Sequence, residues 1–395
     1  MEHLSEVLKI LDGALKANAS MAVSYAGLLA DKLEGEGDRT QARLIRERLA
    51  RAPVALASAQ DASRGFSFNS LPTDGESKLH TVDVSSPAPH ELHLVLPSAL
   101  RGRVSDFLAG VRHHDELARV GAALPNRLIV YGLPGTGKTQ LVRWCAAQLA
   151  VPLLTVRCDT LVSSLLGQTS RNLRRVFEFA QQAPCVLFLD EFDALAGARG
   201  NERDVGELQR VVIALLQNID ALPDSAVLMA ATNHEQLLDP AVWRRFSFTL
   251  PMPLPSKEAR RFMWEQFLSA MAPSGSELDA LADASDGATG ALIEQISLDG
   301  KRDAVLKRQT TADPQTVFRR LGLRMALARG EVLSTEEDEI RWLRRWQPER
   351  FSLRALAQLY NISTRQTTNI TREKVDGNSG DTAGSARSKP SATHT

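Results

Sequence analysis

The chain has 395 residues, enough for two or three domains with buried cores. Lys and Arg total 47 and Asp and Glu total 47, so a strongly basic or acidic protein is excluded and any charged surface must be local. The three cysteines form no Cys-x-x-Cys pair, which argues against a zinc site or a disulfide framework. No apolar run is long enough to cross a membrane, and the first residues are not typical of a secretory signal. We therefore expect a cytoplasmic globular protein without membrane association.

The first 50 residues predict an N-terminal helical region. Apolar residues recur there at helical spacing, at Leu4, Val7, Leu8, Leu11 and Leu15. Residues 51–94 are rich in Ala, Ser and Pro and have little periodicity, which predicts a linker. At the other end, residues 376–395 are small and polar without core-forming side chains, and they predict a disordered tail.

From about residue 95 the pattern changes to apolar strands that alternate with helices. Strands are predicted at 128–131, 153–156, 185–189, 226–230 and 246–250, and helices at 138–150, 169–182 and 203–218. This alternation predicts an α/β subdomain over 95–252, with a parallel sheet and helices on both faces. Residues 253–330 have only helical periodicity, and residues 331–375 predict a second, basic helical module.

A glycine-rich sequence follows the strand predicted at 128–131. It matches G-x-x-x-x-G-K-[ST], the Walker A motif, over Gly132, Leu133, Pro134, Gly135, Thr136, Gly137, Lys138 and Thr139. Glycines let backbone N–H groups approach a phosphate closely, and the helix that starts near Lys138 adds the positive end of its dipole. Lys138 is expected to bind the β- and γ-phosphates of ATP and Thr139 to hold Mg²⁺. The alternative is a structural glycine-rich turn.

Two carboxylates follow the apolar strand at 185–189. Asp190 and Glu191 form a Walker B motif at the carboxyl end of a buried parallel strand, the edge at which ligands bind. Asp190 is expected to hold Mg²⁺ through water, and Glu191 to polarise the attacking water. The pair therefore predicts hydrolysis of ATP and not binding alone, unless the two residues only cap the strand end.

With Asn233 after the next strand, these motifs resemble the AAA family of ring-forming ATPases. The resemblance implies a P-loop core with a helical lid at 253–330 and a homo-oligomeric ring, by family resemblance a hexamer. Asn233 takes the place of the residue that orients the attacking water, unless it only forms a turn. Arg244 and Arg245 would reach the γ-phosphate of a neighbouring subunit. The family separates these two arginines by Pro-Gly, which is missing here, so the identity of the arginine finger stays open, and a solvated basic pair is the alternative.

Two further segments match the family less closely. Gly290 and Ala291 occupy lid positions where small residues approach adenine and ribose. Residues 163–169 align with the central pore loop, with Leu165 where an aromatic residue is usual and Gln168 where Glu is usual. This substitution favours remodelling of a partner over forceful unfolding, although an ordinary loop before a helix is the alternative.

A narrower resemblance concerns four strings, at 187–194, 204–212, 215–220 and 239–246. They are similar to bacterial AAA ATPases encoded beside a subtilisin-like serine protease in two-gene anti-phage or plasmid-exclusion systems. The resemblance implies a partner protease that the ATPase controls or supplies with substrate, and a role in antiviral defence.

The segment 341–375 contains eight basic and two acidic residues. Residues 351–370 resemble a helix-turn-helix, with Ser352 as the cap of the first helix and Asn361 in a left-handed turn. The second helix would present side chains that can contact base edges, namely Arg365, Gln366, Thr368 and Asn369. Thr367 stands where an apolar residue is usual. The segment is therefore either a DNA-binding module or a protein-interaction or structural module.

The sequence as a whole favours Mg²⁺-dependent hydrolysis of ATP by a ring that remodels or regulates a protein partner. The alternative is an ATP-switched DNA-binding protein that acts through the C-terminal module. A third hypothesis, a nucleotide-locked scaffold without turnover, conflicts with the intact pair Asp190 and Glu191.

Overall fold

The structure, a computed structural model, describes residues 3–15, 19–50, 71–72, 80–89, 94–161, 166–196 and 205–372. The chain divides into two compact units. The first, called the core unit below, contains the chain up to Ala259 and Thr289–Ala291. The second, the helical unit, contains Arg260–Ala288 and the chain from Leu292 onward. The tail predicted at 376–395 and the centre of the predicted pore loop, 162–165, lie outside the described residues.

One six-stranded sheet organises the core unit. Its strands are β1 Val82–Ser85, β2 Arg127–Tyr131, β3 Leu153–Val156, β4 Val186–Leu189, β5 Val227–Thr232 and β6 Phe248–Pro251. Their spatial order is β1-β3-β4-β5-β2-β6. Strands β2 to β6 run parallel, whereas β1 pairs antiparallel with β3 at one edge. All four residues of β4 are buried, as expected for a central parallel strand. The predicted α/β fold is confirmed.

Helices cover both faces of the sheet. Those of the core unit are α1 Leu4–Leu15, α2 Ala19–Gly35, α3 Arg39–Ala50, α4 Ser98–Arg112, α5 His114–Arg119, α6 Lys138–Leu149, α7 Cys158–Leu161, α8 Leu166–Ala180, α9 Asp193–Ala196, α10 Val205–Ala221 and α11 Pro240–Trp243. Alternate residues of β2 belong to two hydrophobic clusters, because strand side chains alternate between faces. Ile129 packs in the cluster that includes α8 and α10, and its neighbours Leu128 and Val130 pack in the one that includes α4 and α6.

Strand β1 corrects the prediction of a linker over 51–94. Val82 is 0% exposed and faces Val156 of β3 in the antiparallel register. The preceding Thr81 is also buried, and its backbone N–H and hydroxyl both donate to the carbonyl oxygen of Pro72. A four-residue strand with only two valines is too short to stand out as an alternating pattern in a segment rich in Ser and Pro.

The N-terminal helices α1 to α3 pack against one another and belong to the core unit. The backbone N–H and hydroxyl of Ser5 both donate to the carboxylate of Asp115, which lies in the first turn of α5. Lys32 on α2 donates to Glu6 on α1. A cavity of about 160 Å³ lies between these helices and the sheet, lined by residues that include Tyr25 and Cys185. The N-terminal region is thus attached at the edge where β4 and β5 begin.

Helix α12, Lys257–Leu268, begins in the core unit and continues into the helical unit. Six further helices follow it among the described residues. These are α13 Gly275–Ala284, α14 Gly290–Leu306, α15 Pro314–Ala328, α16 Glu336–Trp346, α17 Leu353–Leu359 and α18 Thr364–Arg372. One hydrophobic cluster joins the predicted lid to the predicted C-terminal module, and it contains Trp264, Phe318, Leu343 and Phe351. Gly322 allows the close approach, since a Cβ there would lie 2.7 Å from side-chain atoms of Leu343 and Trp346. The two predicted domains therefore share one core.

Among the described residues, no helix combines the length and the apolar character that a membrane crossing requires.

Candidate active site

The Walker A residues form a loop between β2 and α6. Three of its glycines have positive φ angles, +143° at Gly132, +77° at Gly135 and +95° at Gly137. A Cβ on Gly132 would clash with the backbone oxygen of Met252, and one on Gly135 would lie 2.9 Å from the Thr289 hydroxyl. Glycine is therefore required by backbone conformation and by space, and the loop keeps an open backbone surface that can surround a phosphate.

Lys138 begins α6 with its side chain inside this loop. The residue is buried, and its Nζ donates to the carbonyl oxygens of Gly132 and Leu133 at 2.8 Å each. Burial lowers the pKa of the Lys138 ammonium, and the nearby carboxylate of Asp190 opposes the shift. The loop that would enclose a phosphate therefore holds the ammonium group through two carbonyl oxygens, and a bound phosphate would need to replace only these two bonds.

Thr139 and Asp190 meet at the carboxyl edge of the sheet. The Thr139 hydroxyl donates to Oδ2 of Asp190 at 3.0 Å, while Oδ1 of Asp190 accepts from the backbone N–H of Glu191 at 3.0 Å. The thiol of Cys158 donates to the backbone oxygen of Asp190 at 2.9 Å. A hydroxyl and a carboxylate side by side are the hard oxygen donors that Mg²⁺ prefers, so these two residues fit the ion.

Glu191 lies next to this pair in an unusual backbone conformation. Its φ angle is +50°, a left-handed value that costs a non-glycine residue on the order of 1 kcal/mol. The following residue holds the turn, because Phe192 is fully buried and its N–H donates to the carbonyl oxygen of Ala231 at 2.8 Å. The Glu191 carboxylate remains exposed, where it can contact a water molecule.

Asn233 follows β5, the strand beside β4. The preceding Thr232 is buried, and its hydroxyl donates to Oδ1 of Asp193 at 2.8 Å and accepts from the N–H of His234 at 3.0 Å. These bonds fix the end of β5 to the turn after Glu191. Asn233 is predictable from its position after an apolar strand, whereas Thr232 and Asp193 are not, because their importance depends on a contact across 39 residues of chain.

A cavity of about 550 Å³ opens beside the Walker A loop, a volume in the range of nucleotide-sized pockets. Its lining combines the ends of three strands with the start of α4 and includes Leu100, Tyr131, Gly132, Asn233 and Met252. Gly290 and Ala291 lie near the same loop, since the N–H of Ala291 donates to the carbonyl oxygen of Gly135 at 3.1 Å. The structure therefore brings the predicted lid residues to the phosphate-binding loop.

The two adjacent arginines have different surroundings. Arg245 forms a two-pronged ion pair with Asp220 on α10, both N–O distances being 3.2 Å, and also donates to the carbonyl oxygen of Ala241. Arg244 is exposed and has no ion pair within the described ranges. Both arginines directly follow the short helix α11, which Asp239 caps by accepting from the N–H of Ala241.

Comparison with known proteins identifies the family. Residues 128–254 match the AAA family, described as the ATPase family associated with various cellular activities. An uncharacterized AAA family ATPase, y4kL, of Sinorhizobium fredii is 38% identical over 231 residues, which cover 58% of this chain and 67% of that protein. The chain belongs to the AAA family of ATPases. The matched residues of this AAA ATPase contain both Walker motifs, Asn233 and both arginines.

Two further relatives have lower identity to this AAA ATPase. Proteasome-activating nucleotidases of Pyrococcus horikoshii and Sulfurisphaera tokodaii are 31% and 34% identical over 207 and 194 residues, which cover 51% and 47% of this chain. The chain spans about half the length of these nucleotidases, 52% and 50%.

As an AAA ATPase, the protein hydrolyses ATP and uses Mg²⁺, which confirms the predicted reaction and cofactors. The ion supplies positive charge next to the phosphates when it is bound. Five side chains of this chain lie around the carboxyl edge of the sheet. They are the buried ammonium of Lys138, the oxygen donors Thr139 and Asp190, the exposed carboxylate of Glu191 and the amide of Asn233. Rings are common in this family.

Proposed function

We propose that the residues at this sheet edge divide the hydrolysis of ATP among them. Lys138 and the loop N–H groups bind the β- and γ-phosphates, and Thr139 and Asp190 hold Mg²⁺. Glu191 accepts a proton from a water molecule while the oxygen of that water forms a bond to the γ-phosphorus. The bond between the γ-phosphorus and the β–γ bridging oxygen then breaks, and ADP leaves. Asn233 orients that water. The observation that carries this proposal is the convergence of Thr139, Asp190 and the Walker A loop.

The arginine finger is Arg244, acting on the γ-phosphate in a neighbouring subunit of a hexameric ring. Its exposure and the absence of an ion pair among the described residues support this choice, since a finger must be available to another subunit. Arg245 is occupied by Asp220 and the Ala241 carbonyl, and its role is to fix α11 to α10. A guanidinium delivered to the γ-phosphate stabilises the charge that develops during transfer.

The ring proposal is tested by the solution mass of Glu191→Gln measured by light scattering with and without Mg·ATP. This variant keeps the nucleotide contacts and loses the base, so it traps the ATP state. We expect a hexameric mass with Mg·ATP only. Lys138→Ala is the control, because it lacks the phosphate-binding cation and should remain at low mass under both conditions. A monomeric Glu191→Gln that still binds ATP would contradict the ring.

The proposed work of the ring is to remodel or regulate a protein partner, specifically a subtilisin-like protease in bacterial antiviral defence. The support is the resemblance of the strings at 187–194 and 239–246 to ATPases encoded beside such proteases. The named relatives that activate the proteasome offer a parallel, an ATPase of this family that serves a protease.

The protease proposal is tested by incubating the purified ATPase with a subtilisin-like protease encoded in the same genome. We expect ATP-dependent change in peptide cleavage with the wild-type chain and none with Lys138→Ala. For the defence role, phage infection of cells that carry both proteins should be restricted, and Glu191→Gln should abolish the restriction. Equal cleavage with and without ATP would overturn the partnership while leaving the ATPase proposal intact.

A further inference from the structure

The last three helices of the helical unit form a compact group. Helix α18 packs against both α16 and α17, and the turn between α17 and α18 places Asn361 at a φ angle of +54°. Ser363 caps α18 by accepting from the N–H of Gln366, whose side-chain oxygen accepts in return from the Ser363 N–H. Arg341 on α16 donates to the carbonyl oxygen of Ile370 near the end of α18. This arrangement has the form of a helix-turn-helix with α18 as its second helix.

Part of the positive charge predicted for this region is neutralised by ion pairs within the chain. Arg341 pairs with Glu337 and Asp338, Arg345 with Glu331, and Arg350 with Glu277. Three arginines differ: Arg354, Arg365 and Arg372 are exposed and have no ion pair in the part of the chain that the structure describes. Residues 353–372 contain no acidic residue at all. Arg344 on α16 has no ion pair among the described residues either, but it donates to the carbonyl oxygens of Pro348 and Phe351. The arginines of this region without a partner among the described residues therefore lie on α17 and α18.

The exposed charges of α18 lie along one side. Arg365, Asn369 and Arg372 are spaced by four and three residues, so they share a face of the helix. Thr367 is 0% exposed on the opposite side, and its hydroxyl donates to the Ser363 carbonyl oxygen, which explains how a threonine replaces an apolar residue there. Gln366, predicted to contact bases, is used in the helix cap, and the Thr368 hydroxyl donates to the Thr364 carbonyl oxygen. The available polar side chains are therefore arginine and asparagine.

We propose that this AAA ATPase binds double-stranded DNA with α18 in the major groove. Arg365, Asn369 and Arg372 form the contacting face. Arginine pairs in two-pronged fashion with guanine and asparagine with adenine, and both pairings need the base edges that the major groove displays. Arg354 on α17 contacts the phosphate backbone beside the groove, as the first helix of such motifs does. The alternative partner for this face is an acidic protein surface. Such a surface needs only the arginines, so it would leave Asn369 without a role, whereas DNA gives Asn369 an adenine to bind.

The experiment measures binding of the full-length protein to a fluorescent mixed-sequence duplex of about 24 base pairs by anisotropy, at several salt concentrations. The test variant is Arg354→Ala with Arg365→Ala and Arg372→Ala. We expect affinity to fall at least about tenfold at low salt, and the slope of log K against log salt to shrink by about one, for the lost phosphate contact of Arg354. The matched control removes the same charge elsewhere, by Arg43→Ala, Arg48→Ala and Arg101→Ala, all exposed residues. It should retain wild-type affinity and slope.

The ATPase rate of both triple variants should equal that of the wild type, so loss of DNA binding is distinguishable from loss of the nucleotide site. Asn369→Ala supplies an independent readout, because it should change the preferred sequence in a selection from random duplexes while leaving the salt slope unchanged. Equal weakening by the control triple, no measurable duplex binding by the wild type, or tighter binding to single-stranded DNA or RNA of the same length would each overturn the proposal.

Discussion

The adjacent arginines that follow α11 show how one neighbouring side chain distinguishes two residues of the same type. Both are chemically able to act on a phosphate, and the sequence gives no reason to choose between them. The choice rests on Asp220, which lies 25 residues earlier in the chain and holds only Arg245. A side chain with two bonds to a carboxylate and one to a carbonyl must break them before it can act elsewhere. Arg244 has no such bond to any residue that the structure describes.

Alanine substitution should separate the two arginines. Arg244→Ala should leave the melting temperature within about 1 °C of the wild type, because an exposed side chain without partners adds little stability. Its ATPase rate should fall by about 1000-fold, the scale of a lost finger. Arg245→Ala should cost about 1 kcal/mol of unfolding free energy through the lost bonds to Asp220 and Ala241. Calorimetry and phosphate release provide the two readouts, and a reversed pattern would exchange the proposed roles.

Thr232 is expected to position Asn233 without touching the substrate. Thr232→Val keeps the volume but loses the hydroxyl that joins Asp193 and the His234 N–H. We expect the turnover number to fall by about tenfold while the affinity for ATP changes less than about twofold, because the phosphate-binding loop is not affected. Thr155→Val, a half-buried position on β3, is the control and should retain activity. Equal loss of affinity and turnover in Thr232→Val would indicate general damage instead.

Among the helices and strands, the sequence predicts those whose pattern lies within one short segment of the chain. Strands β2 to β5 are recognisable because each is an apolar run between turn residues, and the Walker A loop because its spacing is fixed by the phosphate. The pairing of β1 with β3 is different. It joins residues about 70 positions apart and depends on Val82 packing against Val156, which periodicity within a segment does not reveal. The bond between Thr232 and Asp193 is hidden for the same reason.

The contribution of β1 to the fold is measurable. Val82→Ala removes two buried methyl groups and should lower the free energy of unfolding by about 2 kcal/mol. Val332→Ala is the matched control, since Val332 is 80% exposed and its truncation should be neutral within about 0.5 kcal/mol. Urea denaturation followed by far-ultraviolet circular dichroism gives both values. Equal stability of the two variants would mean that residues 82–85 act as a linker after all.

At the scale of the whole molecule, the N-terminal helices cover the sheet edge opposite the nucleotide. Cys185 lies in the cavity beneath them, and burial raises the pKa of its thiol from 9.0 to about 12. A raised thiol pKa leaves less of the reactive thiolate at pH 8, so alkylation by iodoacetamide should be on the order of 1000-fold slower than for free cysteine and should still rise with pH above 9. Deletion of residues 1–50 should accelerate alkylation of Cys185. Cys145, buried inside the core, is the internal control and should stay slow.

If Arg244 is the arginine finger, each active site combines the nucleotide-binding residues of one chain with Arg244 of its neighbour. Mixing two inactive variants tests this directly. Lys138→Ala lacks the phosphate-binding cation but still carries Arg244, whereas Arg244→Ala has an intact nucleotide site but cannot complete its neighbour's. In a mixed ring, a site in an Arg244→Ala subunit is restored wherever the adjacent donor is Lys138→Ala. Lys138→Ala does not assemble alone, so it enters rings through nucleotide bound by the Arg244→Ala subunits. Random mixing at equal concentrations would restore about a quarter of the interfaces, so phosphate release should reappear at up to about that fraction of the wild-type rate. Lys138→Ala mixed with Glu191→Gln is the control, because both changes lie in the site itself and only sites lacking one or the other form. No activity in the test mixture despite co-assembly by light scattering would mean that Arg244 acts within its own chain or not at all. Activity in the control would mean that restoration by mixing is not specific to Arg244, which would also contradict the proposal.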